Sequence, residues 1–166
     1  IIDPPTANSL SFPTALWSDG TQLIVLDAGN NRILVWNAFP VSHQAADLVL
    51  GQADFRHNVA NQGDIPSAST LSFSADGGGL YSNANQLFVS DSANNRILIW
   101  DLPLTIDDAE ASGLIGQDDF NRSGPNRSSG ITADDTLNNP SGVYQFYNRL
   151  LVTDTGNNRY LVFESE

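Results

Sequence analysis

The chain has 166 residues, enough for one domain with a sizeable core, and it carries 19 acidic residues against 7 basic ones, all arginine, for a net charge of −12. That balance excludes a phosphate backbone as the main partner, because such affinity comes from Lys and Arg neutralising phosphates, and it opposes anionic membrane surfaces. With no Cys and no Met, disulfides, thiol chemistry and Cys-based zinc sites are excluded, and no stretch nears the roughly 18 apolar residues of a membrane span.

The chain opens Ile1-Ile2-Asp3, with no Met and no signal peptide. That start fits a processed extracytoplasmic protein (periplasmic, cell-surface or secreted), a trimmed chain or a segment of something longer. Leu10-Ser11-Phe12-Pro13 opens a first unit, in which short runs of Val, Leu, Ile and aromatics predict strands over 13–18, 22–27, 32–37 and 47–51. The phrase LVLGQADF at 48–55 closes it and leads into a long connection, 53–71. Leu71-Ser72-Phe73-Ser74 opens a second unit, with strands over 78–83, 86–91, 96–101 and 112–116. It closes on GLIGQDDF at 113–120 and a second long connection, 118–137. Leu137-Asn138-Asn139-Pro140 opens a third, with strands over 142–147, 149–154 and 159–164. The units run about 9–52, 71–117 and 137–166 within one segment, and no stretch carries a helical period of useful length.

One phrase keeps the units in step. It reads QLIVLDAGNNRILVW at 22–36, QLFVSDSANNRILIW at 86–100 and RLLVTDTGNNRYLVF at 149–163, a period of about 64 residues. In each copy an apolar strand ends in Asp27, Asp91 or Asp154, a small turn follows, and Asn-Asn leads to Arg32, Arg96 or Arg159. The carboxylate is expected to accept backbone N–H groups of the turn. Gly29, Gly156 and the Asn residues are expected to take left-handed backbone angles. The Arg, five positions after the Asp, is expected to reach back to it as a charge-assisted pair. Recurrence marks these pairs as a structural device rather than catalytic acids, since a catalytic site is used once. Four antiparallel strands per repeat, with Trp36, Trp100 and Phe163 at a fixed place, describe an all-β chain of three β-propeller blades.

The phrase at 25–36, 89–100 and 152–163 resembles the NHL repeat, a β-propeller blade family. Its signature is an apolar strand, Val-x-Asp, a short turn with Asn-x-Arg, and an apolar strand ending in an aromatic. The Gly-Gln-x-Asp-Phe phrase resembles that of its long-repeat variety, and the likeness covers essentially the whole chain. The resemblance implies a propeller, commonly six-bladed, used to bind proteins, nucleic acid or small ligands, with a few enzymes among the relatives. A six-bladed ring at this period takes more than twice the present length.

Three blades cannot close a ring, and an open stack exposes edge strands and an apolar face at each end. The expectation is a homo-oligomer of three plus three blades, or a place in a larger assembly, with Ile1-Ile2-Asp3 of a partner copy supplying the missing outer strand of the third unit. The turns of the Asp–Arg phrase and the two long connections fall on one face, which gathers every Arg except Arg149. Arg56, His57, Arg122 and Arg127 on those connections are the candidate surface for a protein partner. The same connections, with Phe55 and Phe120 turned inward, also serve to brace neighbouring sheets.

Other chemistry is thin. His43 and His57 are the only histidines, in different loops and without Cys, which does not make a zinc site or a Ser/His/Asp phrase. Asp107, Asp108 and Glu110, Asp118-Asp119 and Asp134-Asp135 are acidic groups without the ligand order of a calcium loop, and read as solvated loops. Asn121-Arg122-Ser123 and Asn126-Arg127-Ser128 are glycosylation sequons. No catalytic, metal or cofactor-binding residue is assigned and no cofactor is expected. The reading is a non-enzymatic structural or interaction module; the alternative is part of a ligand-binding or catalytic propeller with its site in the central channel.

Overall fold

A computed structural model describes residues 4–164 as eleven strands in three antiparallel sheets, with no α-helix among the described residues. The first sheet has the order β1 (Pro13–Ser18), β2 (Leu23–Asp27), β3 (Arg32–Trp36) and β4 (Leu48–Leu50). The second has β5 (Leu80–Ser82), β6 (Gln86–Asp91), β7 (Arg96–Asp101) and β8 (Gly113–Ile115). The third has β9 (Pro140–Phe146), β10 (Arg149–Asp154) and β11 (Arg159–Glu164). The fourth strands are shorter than their apolar runs, and β5 starts late because a small turn bridged between Ser74 and Gly77 precedes it. Among the described residues β11 has no strand on its outer side. Ile1-Ile2-Asp3, the segment expected to supply one, lies outside the described residues.

The unbroken apolar runs of the repeated phrase follow from burial on both faces of a sheet. Strand β2 pairs with β3 so that Leu23 faces Trp36 and Val25 faces Leu34 on one side, while Ile24 faces Val35 and Leu26 faces Ile33 on the other. The second set packs on Leu87, Val89, Leu98 and Trp100 of the second sheet. The opposite face of the second sheet, with Phe88 and Ile97, packs on Val143, Leu150 and Val152 of the third. Each such side chain contributes about 1.5–3 kcal/mol when fully buried. The first strands of the sheets, β1, β5 and β9, lie side by side in that order. Between β5 and β9 the backbones nearly touch, since a Cβ on Gly79 would sit 2.7 Å from the Ser141 carbonyl oxygen.

The glycine of the Gly-Gln phrase has its own reason. Gly51 (φ +87°) ends β4 and bridges to Thr70, and a Cβ there would lie 2.5 Å from Leu71 Cδ1. Gly116 (φ +97°) bridges to Thr136 and leaves the same room for Leu137. A left-handed backbone and a leucine seated on the bare Cα both call for glycine. In this way the end of one sheet receives the opening leucine of the next unit. Leu71 and Leu137 are fully buried, whereas Leu10, their equivalent in the first unit, is 48% exposed, since no sheet of the described residues stands before it.

Candidate functional site

Three hubs of the same construction sit at the turn between the second and third strands of each sheet. Arg32 Nε donates to Asp27 Oδ2 at 2.8 Å, Arg96 to Asp91 at 2.7 Å and Arg159 to Asp154 at 2.7 Å. The first two pairs are completely buried, while Arg159 keeps 22% of its side chain exposed. The same carboxylate oxygen accepts the side-chain amide of Asn30, Asn94 or Asn157.

The other carboxylate oxygen corrects one expectation from the sequence. It accepts no backbone N–H of the adjoining turn. It takes the N–H of Ser11 at 2.6 Å, of Ser72 at 2.8 Å or of Asn138 at 2.7 Å, sixteen or more residues away on the segment that enters the sheet. The guanidinium groups also reach out. Arg96 donates to the carbonyls of Phe120, Ser67 and Thr70, Arg32 to those of Phe55, Thr6 and Ser9, and Arg159 to those of Ala133 and Thr136. Each hub therefore ties the long connections to the sheet, rather than only setting a hairpin. Charge-assisted bonds to buried carbonyls are the stronger kind and leave few backbone acceptors unmet.

The turn itself differs from expectation in a second way. The left-handed residues are Asn31, Asn95 and Asn158, each closing a 3₁₀ turn, and not Gly29 or Gly156. Those glycines are needed because the entering segment crosses them closely: a Cβ would stand 2.7 Å from the Ser11 or Asn138 carbonyl oxygen. In the second unit Ala93 takes the position, and its N–H···O bond to Ser72 lengthens to 3.1 Å from the 2.8 Å of Gly29 and Gly156.

The left-handed Asn also reaches across to the next unit. Asn31 Oδ1 accepts the Phe73 N–H at 3.0 Å, and Asn95 Oδ1 accepts the Asn139 N–H at 2.7 Å. Beside them, the hub amides of Asn94 and Asn157 exchange bonds with Asn61 and Asn126 of the preceding connections. Asn126 is thus buried with its amide engaged, which closes that sequon in the folded chain, whereas Asn121 stands exposed.

The candidate partner residues lie on the two long connections in equivalent places. His57 Nδ1 is 2.7 Å from Asp54, and Arg122 Nε is 3.0 Å from Asp119. Arg127 pairs with Asp118 and Asp135 at 3.2 and 2.7 Å. Among the described residues Arg56 makes no ion pair, so it is the uncompensated cation of this end. The Arg56 backbone N–H, then the His57 ring, hold Asp54 below the usual carboxylate range. Arg122 and the Asn121 N–H do the same for Asp119. Those bonds are intact above the ordinary Asp value and lost as the pH falls through the lowered one. In an NMR titration the amide protons of Arg56 and Asn121 therefore move together below about pH 4; amides that stay still would show that the carboxylates do not hold these turns. Elsewhere, burial pushes the Asp91 carboxyl up against the pull of Arg96 and its hydrogen bonds, and burial also raises Asp108.

Among the described residues no group of three or more His, Asp or Glu is placed to hold a metal ion. Asp107 instead accepts the Val49 N–H and Asp108 the Gln62 amide, so this acidic run fastens the second unit to the first. No helix of the described residues is long and apolar enough to cross a membrane. Neither family models nor curated proteins give a match to this chain.

Proposed function

We propose that the chain is a non-enzymatic interaction module, a three-blade segment of an NHL-type β-propeller that is completed by other protein and presents its loop-rich end to a protein partner. The observation that supports this most is the use made of its polar groups. Every buried Asp–Arg pair is spent on holding long connections in place, which is what a rigid support for binding loops requires. Arg56, His57 and Arg122 ride on those connections and are exposed. The net acidity makes a protein surface, rather than nucleic acid, the fitting partner.

The reading is tested by placing a photo-crosslinking residue at Arg56, and separately at Thr21 on the turn between β1 and β2, in the chain's native host. A discrete protein adduct from position 56 and none from position 21 is the expected result. Equal adducts from both ends, or none from either, would defeat the loop-rich end as the binding surface.

A further inference from the structure

Two junctions inside the chain are built alike, and the parts of a third lie unused at its two ends. At each internal junction a left-handed Asn accepts a backbone N–H of the next unit: Asn31 from Phe73, and Asn95 from Asn139. Asn158, the third left-handed Asn, makes no side-chain hydrogen bond among the described residues. The matching donor of the first unit is the Phe12 N–H, and it too is unbonded there. Phe12 holds φ 50°, next to the 49° of the donor Asn139, whereas Phe73 donates at the other junction without a left-handed angle. A bulky residue rarely keeps a left-handed angle without a contact to stabilise it.

The apolar surfaces match in the same register. Strand pairing makes Leu151, Tyr160 and Val162 the equivalents of Phe88, Ile97 and Ile99, which pack on the third sheet. On the third sheet that face is open, with Tyr160 72% exposed. The side chains that cover it at the junction of the second and third sheets are Leu137, Val143, Leu150 and Val152. Their equivalents on the first unit are Leu10, Leu16, Leu23 and Val25. Leu10 and Leu16 are open, Leu16 at 69% exposure, while Leu23 and Val25 pack with Leu34, Trp36 and Phe55 of their own unit, so the open part is the edge formed by Leu10 and Leu16.

We infer that the trailing face of the third sheet of one copy docks on the leading edge of the first sheet of a second copy, with Asn158 Oδ1 accepting the Phe12 N–H across the joint. This rests on reading the chain as an unfinished array and names the copy that continues it. The two surfaces are different patches, so the contact is heterologous. It closes into a ring if the rotation permits and otherwise extends as a chain of copies.

The heterologous geometry has a distinctive test. Leu16→Asp disables only the leading edge and Tyr160→Asp only the trailing face, and both positions are too exposed for the fold to depend on them. Sedimentation of the unsubstituted chain is expected to show a mass of two or more copies that falls on dilution. Each variant alone is expected to dissociate at concentrations at least tenfold higher, with an unchanged circular dichroism spectrum. A one-to-one mixture of the two variants is expected to form a complex of two chains and no larger, because one intact joint remains. Asn158→Gly, which keeps the backbone and removes the acceptor, is expected to weaken association by roughly tenfold, the equivalent of one good hydrogen bond.

A monomer at every concentration overturns the proposal. So does an oligomer in which the mixture fails to associate, because that marks a joint made by one patch on itself. Neither result touches the loop-rich end as a binding surface, which the crosslinks decide.

Discussion

Urea unfolding of Arg96→Leu is expected to give a stability about 3–5 kcal/mol below that of the parent chain, the cost of leaving one member of a fully buried ion pair alone. Asp91 is completely buried, and among the described residues Arg96 is its one cationic partner. The same guanidinium satisfies the carbonyls of Phe120, Ser67 and Thr70, so its removal also loosens both long connections. Burial already pushes the Asp91 carboxyl up with Arg96 present. Without Arg96 the folded state takes up a proton that the unfolded chain releases over the same range. Stability therefore rises as the pH falls through the raised folded value towards the unfolded one, and the deficit of the variant shrinks in acid. Arg159→Leu should cost less, because that side chain is partly solvated and among the described residues donates to two carbonyls rather than three. Equal losses at Arg96 and Arg159, or a deficit that does not change with pH, would show that burial of the charge is not what makes the hub costly to break.

Leu71→Ala is expected to cost about 2–5 kcal/mol in the same assay, whereas Leu10→Ala should stay within about 0.5 kcal/mol at concentrations too low for association. The two leucines occupy the same place in the repeated phrase and differ only in what stands before them. Leu71 sits on the bare Cα of Gly51, with no exposed surface, and truncating it leaves a cavity between the first and second sheets. Leu10 has no such seat. Comparable losses at the two positions would mean that the leading end is already packed against protein that is not part of the described chain.

Much of the fold was legible in the sequence. Alternate faces of every strand must be apolar if a sheet is buried on both sides, so the runs at 23–27, 32–36, 86–91 and 96–101 declared themselves by hydrophobicity alone. The hub was only partly legible. Asp and Arg five apart in three copies foretold the pairing, yet the partners of the second carboxylate oxygen lie sixteen or more residues away, at Ser11, Ser72 and Asn138. Backbone donors carry no side-chain signature, and nothing in the turn announces them. Gly29 and Gly156 misled for a related reason. A glycine beside Asn reads as a left-handed position, whereas here it makes room for a crossing carbonyl. The role of the left-handed Asn as a bridge to the next unit had one available signal, its presence in all three copies next to an Asn already used by the hub.

The repeat, the strands and the ionic pairs are properties of local pattern, and the amino-acid order alone decides them because hydrophobic period and residue spacing act within a few neighbours. Which side chains are hidden and which remain open is a property of stacking. Ile97 and Tyr160, or Leu71 and Leu10, differ in exposure because among the described residues a sheet stands against one and not the other, and only the three-dimensional arrangement says which faces are covered.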